Sequence, residues 1–297
     1  MIKAFVVLNP VSGQGDSVER KSLFAEARSA GRWSYDLYET TGDEDLGEVV
    51  RGALDEDYNI VVACGGDGTV SAVVNGLGET SIPLGIVPGG TANALARELD
   101  IPNSVDDALQ LILGEHRTRS IDLIRCGDLF FLMYCSVGSS AHSIRETSRE
   151  QKNNLGWLAY IGTVIRALLG LKTRRFNLTV DGELEEIAAA EVFLFNSDNL
   201  GVVDQDLNSG IELNDGVLDL YAVRVDTLGE FLQMLINLLF KGRSAHIRYW
   251  PVKESVCIET QPPMAFQADG DPQGETPVEF EVAAAALQVI VPADGSE

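Results

Sequence analysis

Three short glycine-rich segments in the first hundred residues have the composition of anion-binding loops. They read NPVSGQG at 9–15, GGDGT at 65–69 and PGGTAN at 88–93. Each follows an apolar run of strand length, and each precedes a segment with a helical pattern. Glycine permits close backbone approach to a ligand, and the N–H groups at a helix start attract anions. Together the three segments predict a cradle for a polyphosphate.

The second loop also contains a carboxylate, Asp67. A carboxylate in an anion site repels phosphate unless a cation lies between them. Mg²⁺ prefers oxygen ligands and binds substrate phosphates with few protein carboxylates. Asp67 is therefore a candidate magnesium ligand. The alternative is that Asp67 caps the helix predicted to begin at Val70, a role that Thr69 could also fill.

Other nucleotide-binding signatures do not occur in the sequence. It contains neither GxxxxGK[ST] nor the HRD and DFG motifs of protein kinases. The three loops contain no lysine, so the nearest candidate cation is Arg97, which could equally be a solvated helix residue. Backbone dipoles and Mg²⁺ would then neutralise most of the phosphate charge.

The first third of the chain alternates between strand and helix patterns. Strands are predicted at 2–8, 33–39, 59–64 and 84–87, and helices at 16–29, 43–54, 70–77, 92–99 and 106–113. Short buried strands that alternate with helices predict a parallel sheet covered by helices. The ligand site of such a sheet lies beyond the carboxyl ends of its strands, where the three loops begin.

After about residue 120 the pattern becomes rich in strands. Strand-like runs occur at 121–126, 129–137, 176–180, 189–195, 218–223, 255–259, 264–268, 278–282 and 287–291. They predict an antiparallel β-rich domain, interrupted by helical patterns at 155–171 and 228–241. We therefore divide the chain into domains 1–122 and 123–297, and leave open whether the last strand, about 286–297, returns to the first domain.

The charge of the chain is strongly negative. The 45 acidic and 22 basic residues give a net charge of −23, which disfavours nucleic acid as a partner. No apolar run reaches the roughly 18 residues of a spanning helix, and the N-terminal run lacks a cleavage site. The cysteines form no CxxC pair, and reduced, buried thiols are expected at Cys64 and Cys135. We expect a cytoplasmic protein, and a homodimer is left open.

Longer motifs around these loops resemble the diacylglycerol kinase catalytic-domain family. The resemblance is carried by GGDGTVSAVVNGL at 65–77, by PLGIVPGGTANALARELDIP at 83–102 and by the first loop. In the second half, NDGVLD at 214–219 is similar to the family's DG-x-LD segment. ADGD at 268–271, followed by GETP, is similar to its late DGE…TP segment. The family includes bacterial diacylglycerol kinases and sphingosine and ceramide kinases.

The resemblance implies a phosphofructokinase-like α/β nucleotide-binding domain followed by an antiparallel β-rich sandwich domain that binds the lipid. It implies ATP and Mg²⁺, with transfer of the γ-phosphate to the hydroxyl of a diacylglycerol or sphingoid-type lipid. Asp67 would serve ATP–Mg²⁺ or assist deprotonation, Asp269 would be the general base, and Asp215 and Asp219 would hold a structural Mg²⁺. The implied nucleotide contacts are Asn9, Pro10, Ser12, Gly13, Gly65, Gly66, Asp67, Gly68, Thr69, Gly89, Gly90, Thr91 and Asn93.

Two other functions remain open at this point. Asp-Gly pairs also form hairpin turns, as expected at Asp181-Gly182, and Ala72 and Ala94 stand where the family often has acidic residues. A non-catalytic lipid- or nucleotide-binding protein is therefore one alternative, and a kinase of a soluble substrate such as NAD is the other. The apolar, basic-ended segment 155–175 could contact a membrane or an acyl chain, or pack on the second domain.

Overall fold

The computed structural model describes residues 2–13, 17–138, 173–196, 212–225, 227, 229–230 and 244–293. The chain forms two compact units. The first contains residues 1–123 and 283–297, and the second contains residues 124–282. The C-terminal end of the chain thus belongs to the first unit, a point that the sequence pattern leaves open.

The first unit contains a parallel sheet. Its strands are β1 (Ile2–Leu8), β2 (Trp33–Glu39), β3 (Ile60–Gly65) and β4 (Leu84–Pro88), in the order β2-β1-β3-β4. Every residue of β3 and β4 is buried, which is why both strands have uninterrupted small and apolar sequences.

Five helices accompany these strands. They are α1 (Ser17–Ser29), α2 (Leu46–Ala53), α3 (Asp67–Leu77), α4 (Ala94–Glu98) and α5 (Val105–Leu113). The side chains of Asp45 and Ser104 cap α2 and α5. Helix α3 begins three residues before the predicted start at 70, with Gly66 as its only separation from β3. The start of α3 is therefore held at the carboxyl edge of the sheet.

The second unit is an antiparallel sandwich. Its strands are β6 (Leu129–Phe131), β7 (Tyr134–Gly138), β8 (Arg174–Val180), β9 (Glu183–Ala189), β10 (Glu191–Phe195), β11 (Leu218–Val223), β12 (Ile247–Val252), β13 (Ser255–Thr260), β14 (Ala265–Ala268) and β15 (Asp271–Glu275). One sheet has the order β12-β11-β10-β7-β14-β15, and β13, β8 and β9 belong to the other. Side chains of both sheets, such as Leu194 and Leu220 from one and Leu178 and Ile258 from the other, form one core. The α/β fold followed by a β sandwich confirms the predicted fold class.

Two long strands contribute residues to both units. They are β5 (His116–Cys126) and β16 (Val278–Pro292). The last part of β16 runs parallel to β4, and its first part is antiparallel to β13. The predicted runs 278–282 and 287–291 are parts of this one strand, joined through Ala285 at φ 52°. The Ala285 N–H donates to the buried Asp122 carboxylate at 2.7 Å, which fixes the irregularity.

Some sequence predictions cannot be compared with the structure. The helical patterns at 155–171 and 228–241 lie outside the described residues, apart from 229–230, and so does segment 155–175 up to residue 172. Within the described part of the chain, no helix combines the length and the apolar character needed to cross a bilayer.

Candidate functional site

The three glycine loops of the first unit lie against one another. The Asn9 N–H donates to the carbonyl of Cys64 at 2.9 Å, which joins the first loop to the end of β3. The Gly89 N–H donates to the carbonyl of Gly65 at 2.7 Å, which joins the third loop to the second. The structure thus brings together the described residues of all three segments at one sheet edge. Gln14 and Gly15 lie outside the described residues.

Glycine is required where the loops meet. A Cβ on Gly13 would lie 2.0 Å from the Gly89 carbonyl oxygen, and Gly13 has φ 70°, a left-handed conformation. A Cβ on Gly90 would lie 2.7 Å from the Cα of Gly66. The third loop is therefore in backbone contact with both of the others.

Two asparagines organise the loops through their side-chain amides. The Asn9 side chain accepts from the Val11 N–H at 3.1 Å and donates to the Thr69 hydroxyl at 3.0 Å. The Asn93 side chain accepts from the Gly90 N–H at 2.8 Å and donates back to the Gly90 carbonyl at 3.0 Å. Asn93 has φ 47°, in the left-handed region that asparagine tolerates better than most residues.

Asp67 links the second loop to the helix that follows the third. Its carboxylate accepts from the Asn93 N–H at 3.0 Å and from the Ala94 N–H at 2.6 Å, at the start of α4. The capping alternative predicted for Asp67 is wrong in its detail, because the N-cap of α3 is Gly66 and Asp67 binds the start of α4 instead. Each carboxylate oxygen still has acceptor capacity for a cation, so the oxygen donors present fit Mg²⁺.

A cavity of about 450 Å³ opens beside the third loop. Its wall includes Arg20, Gly89, Gly90, Thr91, Asn93 and Arg97. Arg97 is exposed and donates to the Thr91 carbonyl at 3.4 Å. The volume is in the range of pockets that bind nucleotides and other small molecules.

In the second unit, Asp269 occupies the hairpin between β14 and β15. It has φ 48° and precedes Gly270 at φ 89°. Its carboxylate accepts from the N–H groups of Leu132, Met133 and Tyr134, at 2.9, 2.9 and 3.2 Å. Asp269 therefore anchors the segment that leads into β7, in addition to any chemical role.

Asp181 has the same conformation and the same kind of hydrogen bonds in a second hairpin, between β8 and β9. It has φ 47°, and its carboxylate accepts from the N–H groups of Lys253, Glu254 and Ser255. Burial by itself would raise the pKa of the Asp181 carboxyl, but these backbone hydrogen bonds outweigh it and lower the pKa below its ordinary value. Three hydrogen bonds from backbone N–H groups to the aspartate of an Asp-Gly turn thus occur twice among the described residues of this unit. They stabilise the turn and do not by themselves indicate catalysis.

Asp215 and Asp219 lie close enough to interact electrostatically. Asp219 is buried on β11, and burial raises its pKa, as does the charge of Asp215, while a hydrogen bond from Tyr249 lowers it. Asp215 is exposed and accepts from the Val217 N–H at 2.9 Å. Two carboxylates that repel each other fit an oxygen-seeking cation. Among the described residues, however, no group of three or more metal-ligating side chains occurs.

Arg20 is a residue of the site that was not predicted from the sequence. Arg20 on α1 is buried and donates to the first loop. Its spacing from the buried residues Phe24 and Ala27 places all three on one helix face. An arginine on an otherwise apolar helix face, five residues after a glycine loop, was the signal that could have revealed it.

Comparisons with known proteins agree with this architecture. Residues 3–126 match the diacylglycerol kinase catalytic domain, and residues 134–291 match the YegS C-terminal NAD kinase beta sandwich-like domain. The glycine-loop α/β unit and the β sandwich therefore define a two-domain protein of the lipid-kinase class. The chain belongs to the diacylglycerol kinase catalytic-domain family.

Individual relatives match nearly the whole chain. An uncharacterised protein from Synechocystis is 30% identical, over 98% of this chain and 70% of the relative. A Staphylococcus haemolyticus protein named diacylglycerol kinase is 27% identical, over 98% of this chain and 88% of the relative. A solved structure described as a diacylglycerol kinase from Bacillus anthracis is 25% identical, with a TM-score of 0.77 and coverage of 98% and 97%.

Proposed function

We propose that this protein is an ATP-dependent kinase that transfers the γ-phosphate to the hydroxyl of a diacylglycerol or sphingoid-type lipid. The observation that carries the proposal is the convergence of the loops 9–13, 65–69 and 88–93 at one sheet edge. Glycine loops and helix starts that meet at one sheet edge are suited to a polyphosphate. Membership in the diacylglycerol kinase family supports a lipid as the acceptor.

In the proposed reaction the loop amides bind the phosphates, and Asp67 offers carboxylate oxygen to Mg²⁺ while it holds the second and third loops together. Bound Mg²⁺ neutralises charge on the phosphate oxygens. The lipid hydroxyl oxygen bonds to the γ-phosphorus, the bond from that phosphorus to the β–γ bridging oxygen breaks, and ADP leaves. The hydroxyl proton passes to Asp269, the proposed base. Positioning and charge stabilisation supply most of the acceleration.

The test is incubation with γ-labelled ATP, Mg²⁺ and a panel of diacylglycerol, sphingoid and ceramide lipids in mixed micelles. A labelled phospholipid product is expected from at least one hydroxyl lipid. Asp269→Asn should reduce the rate at least about 100-fold, because it removes the base. Asp181→Asn is the matched control, since it perturbs the same kind of Asp-Gly turn and should leave the rate within about threefold of wild type.

A non-catalytic binding protein is the second candidate. The three hydrogen bonds from backbone N–H groups to the Asp269 carboxylate favour it, because they give this residue a structural role. Nucleotide binding without labelled product in wild type and in both variants would support that candidate over the kinase. The NAD kinase-like description of the second domain makes NAD a necessary member of the panel. Formation of NADP in place of a phospholipid would replace the lipid with a soluble acceptor.

A further inference from the structure

Arg20 binds the backbone of the first glycine loop through its guanidinium group. Its side chain extends from α1 and is only 3% exposed. One guanidinium nitrogen, Nη2, donates to the Ser12 carbonyl at 2.7 Å. The other, Nη1, donates to the Ser12 hydroxyl at 3.1 Å and to the Asn9 carbonyl at 3.3 Å. The planar fork of arginine therefore fixes both ends of the turn.

The same guanidinium reaches the end of β3, where the second loop begins, and the third loop. It hydrogen-bonds the buried thiol of Cys64, the residue before Gly65 at the end of β3. It also lies against the third loop, because a Cβ on Gly89 would be 3.3 Å from Arg20 Nη1. One buried cation thus contacts the junction of all three loops and forms part of the wall of the 450 Å³ cavity.

The contact with Ser12 determines where the next amide points. In a planar trans peptide the C=O of Ser12 and the N–H of Gly13 point in opposite directions. Since Arg20 holds this carbonyl, the Gly13 N–H is directed away from the guanidinium. Gly13 has a left-handed conformation and lies against the Gly89 carbonyl, where a side chain would not fit.

We propose that Arg20 is a positioning residue for the nucleotide phosphates: it holds the first loop so that the Gly13 N–H is directed to the ligand. The inference rests on the proposed function, and it adds a residue that none of the site predictions contains. A lysine could keep the charge, but it could not hold the Ser12 and Asn9 carbonyls in one planar fork. The role therefore depends on the planar shape of the guanidinium group as well as on its charge.

The experiment measures Kd by calorimetry for Mg·ATP and for adenosine, which lacks phosphate, in wild type, Arg20→Gln and Arg20→Lys. Both variants should bind Mg·ATP on the order of tenfold or more weakly, Lys less so than Gln, because oriented, charge-assisted contacts to phosphate are lost. Adenosine affinity should change by less than about twofold. Arg28→Gln is the matched control, since Arg28 is an exposed residue of the same helix.

The outcomes separate this inference from the function on which it rests. Unchanged Mg·ATP affinity in folded variants, or equal losses for Mg·ATP and adenosine, would overturn the role of Arg20 and leave the proposed kinase intact. A wild-type chain that binds neither compound would overturn the proposed function itself. If Arg20→Gln does not fold, the comparison of Arg20→Lys with wild type decides, because that variant keeps the buried charge.

Discussion

Gly90 and Gly68 belong to neighbouring loops but are glycine for different reasons. A Cβ on Gly90 would lie 2.7 Å from the Cα of Gly66, so the protein itself excludes a side chain there. A Cβ on Gly68 would meet no atom within 4 Å, and Gly68 lies in the first turn of α3, where alanine is a better helix former. The fold alone therefore gives no reason for glycine at 68, whereas a closely approaching ligand does.

The two glycines should respond differently to substitution by alanine. Gly90→Ala should lower the free energy of unfolding by about 1–3 kcal/mol through overpacking. Gly68→Ala should leave it unchanged or raise it by up to about 1 kcal/mol, but weaken Mg·ATP binding. Urea denaturation and calorimetry measure the two quantities. Full ATP affinity in Gly68→Ala would show that no phosphate approaches this position.

Cys64 gives a prediction for alkaline pH. Burial raises the pKa of its thiol to about 11, although the charge of Arg20 and the hydrogen bond from it act in the opposite direction. A thiol whose folded pKa is raised keeps its proton while the unfolded chain loses it. The stability contributed by Cys64 is thus present below the unfolded pKa of 9.0 and is lost as the pH rises toward 11.

Cys64→Ala should remove this part of the pH dependence. The difference in unfolding free energy between wild type and Cys64→Ala should shift by about 2–3 kcal/mol between pH 8 and pH 11, in the direction that penalises wild type. The absolute cost of the cavity left by alanine cancels in this comparison. Parallel curves for the two proteins would contradict a buried, protonated thiol at this position.

At the scale of elements, the sequence predicted the strand–loop–helix junctions because buried strands and glycine loops have local signatures. The contacts between junctions were not predictable in this way. Asp67 binds the N–H groups of residues 93 and 94, far from it in sequence, so local pattern suggested a cap for α3 instead. Strand β15 escaped prediction because its sequence, DPQGE, is exposed throughout and does not alternate between apolar and polar side chains. Its pairing with β14 depends on the backbone.

The metal site expected at Asp215 and Asp219, around the start of β11, can be tested by thermal unfolding. Asp219 is buried near Asp215, so charge on both is unfavourable without a cation. Mg²⁺ should raise the melting temperature of wild type, and Asp219→Asn should remove this rise, because a ligand that binds only the folded state stabilises it. Without Mg²⁺, Asp219→Asn should be at least as stable as wild type, since asparagine can still accept the Tyr249 hydrogen bond.

Thermal unfolding at matched ionic strength, with NaCl in place of MgCl₂, measures this effect. Asp181→Asn provides the control for a carboxylate in the same unit that already has three amide partners. An equal Mg²⁺ shift in wild type and Asp219→Asn would place the cation elsewhere and remove this pair from the metal site.

At the scale of the whole molecule, the charge of −23 has a consequence for stability that no single contact reveals. Self-repulsion destabilises a compact chain, and salt screens it over a Debye length of about 10 Å at 0.1 M. Raising KCl from about 20 to 200 mM should therefore raise the melting temperature. A fall in melting temperature over this range would show that specific ion pairs outweigh the net repulsion.

The division into an α/β and a β-rich part followed from the change of pattern near residue 120, since strand and helix periodicities are local properties. The return of the chain to the first unit did not follow, because β16 is one continuous strand whose two ends have different neighbours. The buried Arg20 was also missed, although its place on the apolar face of α1 with Phe24 and Ala27 was a signal that it is not a solvated cation.

Hydrogen exchange in the presence and absence of Mg·ATP tests the central claim most directly. If the loops form one phosphate cradle, saturating Mg·ATP should slow amide exchange together in peptides that cover 9–13, 65–69 and 88–93, with a common midpoint, and adenosine should not reproduce the effect. Slower exchange in only one of these peptides, or in none of them at a concentration that saturates binding, would contradict the account.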